Sequence, residues 1–203
     1  MDTLFAPGCA LKAYKPHLIQ RMTDFLIEKG IIVGTYDTCC KKPKTIEEDI
    51  VLIICCPGCN RMFETAFSNV RPVSLWKILL DTDFPFPDYH GKKMTIHDAC
   101  RSRNRNSPEM QISVRALCKR MNIEIIEPIH TLDETRCCGG CAVDYETQRK
   151  MAQRRVLDFS ENDVVVYCTG CVRSLSLTEV HPRHMFDLLF AESTEGLTVI
   201  TKN

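Results

Sequence analysis

The sequence lacks a net charge. Lys plus Arg and Asp plus Glu total 26 each over 203 residues, so no overall field draws the chain to nucleic acid or to an anionic lipid surface. Long apolar runs are missing as well. Nothing approaches the roughly 20 consecutive apolar residues of a membrane span, which excludes insertion as the expected mode of life. The opening stretch MDTLFAPGCALK has neither the charged start nor the apolar centre of an export signal, and the expected location is a reducing cytoplasm. Also absent are a nucleotide-binding glycine fingerprint, a flavin motif and the closely spaced cysteine run of a ferredoxin. Any electrons the chemistry needs must therefore come from a partner.

What the chain has in excess is cysteine, 13 residues. The number is odd, and the adjacent pairs Cys39-Cys40 and Cys137-Cys138 could bridge each other only with strain. In a reducing compartment clustered thiols more often bind metal than form disulfides. They come in groups: PGCA, TCCKK and ICCPGC in the first half, then HDACR, RCCGGC and YCTGC in the second. Thiolates are soft ligands that select zinc or iron-sulfur clusters. A CxxC turn brings two thiolates to one metal, and both zinc fingers and redox dithiols use it. Neighbouring cysteines are hard to aim at one tetrahedron, whereas a polynuclear cluster offers each its own iron. Five thiols per half favour a cluster, more so in the second half; zinc stays open, especially in the first.

Hydrophobic patterning places these groups. TLFAPG reads as a strand presenting Cys9, and Leu18, Ile19, Met22, Phe25 and Leu26 recur at helical spacing from Lys15 to Lys29 before Gly30. IIVGTY reads as a buried strand delivering Cys39 and Cys40, and DIVLII as another running into Cys55, Cys56 and Cys59. Asn60 is a candidate cap for a helix through Phe67, and Val73 to Leu80 for a further helix carrying Trp76. Asp81 to Gly91 reads as a linker, giving halves at residues 1–91 and 92–203. KMTIHD then delivers Cys100. Ser107-Pro108 starts a helix to about Met121, NIEIIEP is a strand before Cys137 and Cys138, Tyr145 to Leu157 a basic-faced helix, and DVVVY the strand that ends at Cys168. A short helix after Cys171, another from His184 to Phe190 and a tail or edge strand GLTVITKN complete the reading. The expected fold is α/β, two related halves with a small parallel sheet and helices each, and the cysteines at the carboxyl ends of the strands.

With these residues in view the chain resembles the cysteine-rich CCG-domain family, found as a tandem pair in the B subunit of heterodisulfide reductase and in lactate-utilisation and glycolate-oxidase iron-sulfur subunits. The shared layout is Cys, a long spacer, Cys-Cys-Gly, a second spacer, then CxxC. The second half fits it through Cys100, Cys137-Cys138-Gly139 and Cys168/Cys171, and the likeness extends to TIHDAC and HMFDLL. The resemblance implies two noncubane 4Fe-4S clusters close together between the halves. One would be held by Cys9, Cys39, Cys40, Cys56 and Cys59, the other by Cys100, Cys137, Cys138, Cys168 and Cys171. It also implies an oxidoreductase subunit that cleaves a disulfide-type or other small substrate with electrons from flavin or iron-sulfur partner subunits. Three departures stand out. Lys41 replaces the glycine in the first half, the spacer from Cys40 to Cys56 is too short for the usual helix, and Arg101 follows Cys100 where family members often have His.

Several residues have two readings each. Arg101 and His97 are candidates for contact with a substrate; Arg101 would pin a carboxylate or stabilise a thiolate, and His97 is either a hydrogen-bonded structural residue or a tuner and proton source for the cluster. Cys55 and Cys141 flank ligand groups as alternative ligands, redox thiols or packing residues, and Cys118 reads as a buried apolar side chain. Arg103 and Arg105, alternating with Arg101, read as a solvated face or as an anion or partner contact, and Arg149, Lys150, Arg154 and Arg155 as an exposed helix surface. Two rival functions remain open: a non-catalytic electron relay for a flavin-dependent hydroxy-acid dehydrogenase, and a zinc-stabilised interaction module.

Overall fold

A computed structural model describes residues 1–38, 43, 45–103 and 107–194. The Cys39-Cys40-Lys41 group, Arg105 and the expected tail strand GLTVITKN lie outside the described residues. The chain divides into two compact units, Met1–Phe84 and Pro85–Asn203. Residues 85–91, expected to close the first half, are fastened to the second unit: Tyr89 Oη donates to the Leu188 carbonyl at 2.9 Å, and the Tyr89 and Gly91 amides donate to the carbonyls of Met121 and Asn122.

In the first unit β1 (Asp2–Ala6) lies between β2 (Gly34–Thr35) and β3 (Ile50–Ile54), and β4 (Val70–Ser74) adds beside β3, all parallel, in the order β2-β1-β3-β4. The register pairs Leu4 with Leu52 and Leu52 with Pro72. All five residues of β3 are buried, which is why this strand reads as a continuous apolar run rather than an alternating one. Two helices follow β1, α1 (Cys9–Tyr14) and α2 (Pro16–Glu28). Proline at position 16 pushes Lys15 out of helical geometry and separates them. The α2 face that packs inward carries Leu18, Ile19, Met22 and Leu26, the spacing of a 3.6-residue period. After β3 comes α3 (Pro57–Ala66), and after β4 comes α4 (Leu75–Leu80).

The second unit repeats the plan: β5 (Lys92–Ile96), β6 (Ile123–Ile126), β7 (Asp163–Val166) and β8 (His181–His184) form a parallel sheet in the order β6-β5-β7-β8. Its helices are α5 (Ser107–Arg120), α6 (Tyr145–Val156), α7 (Thr169–Leu175) and α8 (Met185–Leu189). The fold is thus α/β in two related parallel-sheet halves. A helix, α6, joins β6 to β7, whereas no helix occurs among the described residues between β2 and β3.

Some expected elements differ. IIVGTY contributes only the two-residue β2, with Val33 70% exposed, because it is a sheet edge rather than a buried strand. The helix expected from Asn60 starts at Pro57 with Cys56 as its cap residue, proline taking the first helical position. The apolar segments at Val73 and His184 each open with the end of an edge strand, β4 and β8, before the short helices α4 and α8. Both strands contain a proline, Pro72 and Pro182, tolerated because an edge strand has a side that needs no ladder hydrogen bond. Among the described residues no helix is long and apolar enough to cross a membrane.

Candidate metal centre

In each unit the cysteines follow the carboxyl ends of the strands, where ligands gather in open parallel sheets. Cys56 and Cys168 are the cap residues of α3 and α7, and Cys59 and Cys171 lie one turn inside them. CxxC at a strand-to-helix junction thus gives both units the same pair of thiols one turn apart.

In the second unit five sequence-expected thiols converge. Cys100 follows β5, Cys137 and Cys138 follow the loop after β6, and Cys168 and Cys171 follow β7. Cys100 Sγ and Cys137 Sγ are 3.5 Å apart. The Cys138 and Cys171 sulfurs lie within 4.8 Å of each other, and Cys137 and Cys138, and Cys168 and Cys171, are close enough for one thiol to shift the pKa of the other. The set draws on three loops.

Two glycines make that approach possible. Gly139 has φ +86°, and a Cβ there would lie 2.8 Å from the Gln148 carbonyl oxygen and 2.9 Å from Met151 Cβ. A Cβ at Gly140 would lie 2.6 Å from the carbonyl oxygen of Gly170, inside the CxxC turn. The Cys-Cys-Gly-Gly loop and the Thr-Gly-Cys turn therefore touch backbone to backbone, which only glycine permits. Ser174 Oγ donates to the Cys138 carbonyl and Arg173 to that of Gly140 at 3.0 Å, locking the contact.

Asp98 holds the loops from behind. Its carboxylate is fully buried and receives both terminal nitrogens of Arg115 at 3.0 and 2.8 Å, Tyr167 Oη at 3.0 Å and the Leu132 amide at 2.9 Å. Its carbonyl accepts from Thr135 at 3.0 Å. Leu132 and Thr135 belong to the segment before Cys137 and Tyr167 is the residue before Cys168, so one carboxylate two residues before Cys100 joins all three cysteine loops. Leu132 sits at φ +52°, a conformation disfavoured for a residue with a side chain, and its amide bond to Asp98 compensates. Burial alone would raise the Asp98 pKa, but the Arg115 fork outweighs it and keeps the group ionised.

The thiols feel one another strongly. Cys137 is lowered because Cys100 and then Cys138 donate to it; Cys100 is raised by the same bond and by burial. Cys138 and Cys171 are raised, Cys138 chiefly by its bond to Cys137 and Cys171 by its bonds to Cys138 and Cys168. Packed this closely without a cation, the five cannot all ionise. A bound polycation removes that restriction, and a set of five adjoining thiols exceeds the four positions of a tetrahedral zinc. The donor set fits an iron-sulfur cluster, with Cys100, Cys137, Cys138, Cys168 and Cys171 as the residues that would hold it.

Other residues fall as follows. His97 is 1% exposed; a ring nitrogen lies within 4.8 Å of the sulfurs of both Cys138 and Cys171, a His-Cys-Cys group able to hold a metal ion. Burial, and then the Arg155 charge, push its pKa down to about 3. Arg101 is exposed and reaches Cys141 Sγ at 3.6 Å, a pairing invisible in the sequence because 40 residues separate them. Arg103 donates to the Cys100 carbonyl at 3.3 Å. Cys118 is buried in α5, as the sequence predicts. Arg155, expected on a solvated face, is instead 0% exposed. The buried positions of α6 are Gln148, Ala152 and Arg155, an i, i+4, i+7 stripe whose only apolar member is alanine, so it gave no hydrophobic signal.

In the first unit Cys9 starts α1, Cys56 is half-buried and Cys59 buried. A Cβ at Gly8 would lie 3.3 Å from Cys59 Sγ, and Cys55 Sγ donates to the Pro7 carbonyl at 3.3 Å. The loop bearing Cys9 and the turn bearing Cys56 and Cys59 thus adjoin, while the other two expected thiols, Cys39 and Cys40, lie outside the described residues.

Thiol-rich loops on a parallel sheet define a cysteine-rich domain with a side-chain group able to hold a metal ion. Residues 94–176, from within β5 to the end of α7, match the family model of the CCG cysteine-rich domain, and the matched span contains all five converging thiols. The match lies wholly within the second unit. No curated protein matches the chain.

Proposed function

We propose that the chain is an iron-sulfur oxidoreductase subunit of the heterodisulfide reductase B kind. On this reading Cys100, Cys137, Cys138, Cys168 and Cys171 hold a noncubane 4Fe-4S cluster. Cys9, Cys39, Cys40, Cys56 and Cys59 hold a second one, with zinc as the alternative metal there. The observation that carries the reading is the convergence of five thiols drawn from three separate loops, with Cys100 Sγ 3.5 Å from Cys137 Sγ and the Cys138 and Cys171 sulfurs within 4.8 Å of each other. When bound, such a cluster supplies single electrons to a sulfur-containing or other small substrate.

The chain's own residues would contribute positioning and charge. Asp98 and the Gly139-Gly140 pair set the loops before any metal arrives, so little ordering cost falls on cofactor binding. Arg101 offers a permanent positive charge at the exposed side, suited to an anionic substrate group or a departing thiolate. Electrons would come from a flavin or iron-sulfur partner subunit, in a cytoplasmic complex.

A second reading, a pure electron relay serving a flavin-dependent hydroxy-acid dehydrogenase, is favoured by one observation. Cleaving a disulfide to two thiols takes two protons as well as two electrons, and Arg101 does not release a proton near neutral pH. An assay of disulfide reduction by the anaerobically purified chain with an artificial donor separates the readings. Catalytic turnover that is lost in Cys138→Ser supports the reductase; a cluster that cycles its electrons without turnover supports the relay.

A further inference from the structure

Arg155 is the one guanidinium of α6 turned wholly inward, and what it does there reaches the cysteines. Its Nε donates to His97 Nδ1 at 3.0 Å. One terminal nitrogen donates to Asp158 at 2.7 Å and to the His130 carbonyl at 2.9 Å. Its guanidinium carbon lies 4.6 Å from the centre of the Phe159 ring, which also meets His97 edge-on at 6.3 Å between centroids. The side chain is thus held from several directions with its Nε–H aimed at one atom.

That aim decides the chemistry of the imidazole. A guanidinium has only donors and keeps its protons, so His97 Nδ1 must present its lone pair. A neutral imidazole with a lone pair on Nδ1 carries its proton on Nε2. His97 Nε2 is buried and has no hydrogen-bond partner among the described residues, in a ring that approaches the Cys138 and Cys171 sulfurs within 4.8 Å. Taken alone, His97, Cys138 and Cys171 look like three ligands of one metal ion. With Arg155 in place, ligation through Nε2 would require an imidazole stripped of both protons.

We infer that His97 is a hydrogen-bond donor to the sulfurs at the Cys138/Cys171 side of the cluster rather than a metal ligand, and that Arg155 is the positioning residue that fixes its tautomer. The inference rests on the cluster reading above. An N–H directed at cluster sulfur stabilises the more negative, reduced state, so it raises the reduction potential. His97 and Arg155 then form a potential-setting device behind the cluster, out of contact with substrate.

The test uses the full chain purified without oxygen. Pulsed paramagnetic resonance of the wild-type cluster in its paramagnetic state is expected to show a weak nitrogen coupling and a proton coupling that disappears in D₂O. Both should vanish in His97→Phe, which should bind as much iron as the wild type. Redox titration should place His97→Phe and Arg155→Met at more negative potentials than the wild type, with His97→Gln, whose amide can still donate, in between. A strong coupling of the kind given by nitrogen bonded to iron overturns the inference, as does an unchanged potential in an iron-replete His97→Phe. The wild-type spectrum decides even if a variant fails to fold. A wild-type preparation without iron or sulfide overturns the cluster reading itself, a separate failure.

Discussion

Replacing Asp98 by Asn removes the charge that joins the three cysteine loops while leaving the side chain's shape. The carboxylate accepts two bonds from Arg115, one from Tyr167 and one from the Leu132 amide; the amide has one oxygen for these four and turns a donor toward the rest. Breaking a buried ion pair from one side costs about 3–5 kcal/mol. Arg115 keeps Glu127, at 2.6 Å, so it is not stranded, and the lower end, about 3 kcal/mol, applies. At about 1.4 kcal/mol per factor of ten, local opening becomes about a hundredfold more frequent. Hydrogen exchange followed by mass spectrometry reads this directly. Peptides covering 94–102, 123–135 and 163–172 should exchange about a hundredfold faster in Asp98→Asn if opening sets the rate. Iron bound per chain after anaerobic reconstitution should fall in parallel. Unchanged protection in those peptides would refute the assignment of Asp98 as the common anchor.

Gly140→Ala forces a Cβ to within 2.6 Å of the Gly170 carbonyl oxygen, and should cost about 1–3 kcal/mol through a backbone shift and lower iron content. Gly91→Ala, at φ +74° with nothing within 4 Å of the new atom, should show only the strain, about 1–2 kcal/mol, with full iron. Cys118→Ala should leave iron content at the wild-type level, since that thiol is buried in α5, whereas Cys137→Ser should reduce it. Asp158 pairs with His130, Arg136 and Arg155. Burial would raise its pKa, but those bonds outweigh it and the folded value is lowered. Its contribution is therefore present above the unfolded value, about 3.9, and lost as pH falls through the lower folded value. Urea unfolding from pH 7 to pH 3 should show a shallower acid decline for Asp158→Asn than for the wild type.

The fold class was legible because strand-length apolar runs alternate with helical periods and each run ends in cysteine. Buried parallel strands such as Ile50–Ile54 advertise themselves by composition. The edge strands did not: Val-Arg-Pro-Val-Ser and His-Pro-Arg-His have the proline and polar content of a loop, and only their place beside a buried neighbour makes them strands. The five thiols of the second unit were legible from spacing, since CxxC and Cys-Cys-Gly fix local geometry. What fastens them was not. Asp98 and Arg155 are charged residues whose burial depends on partners 17 to 69 and 3 to 58 positions away, and a one-dimensional pattern treats such residues as surface. The glycine contacts Gly139–Gln148 and Gly140–Gly170 are likewise tertiary facts behind a motif that is plain in the sequence.

What the five converging thiols hold decides the chemistry of the second unit. Iron and acid-labile sulfide, measured together on the chain purified without oxygen, test this most directly. The predicted result is both elements in near-equal amounts in the wild type, with the amount bound through the second unit lost in Cys138→Ser. Stoichiometric zinc without sulfide, or a wild type and Cys138→Ser that bind the same iron, would contradict it.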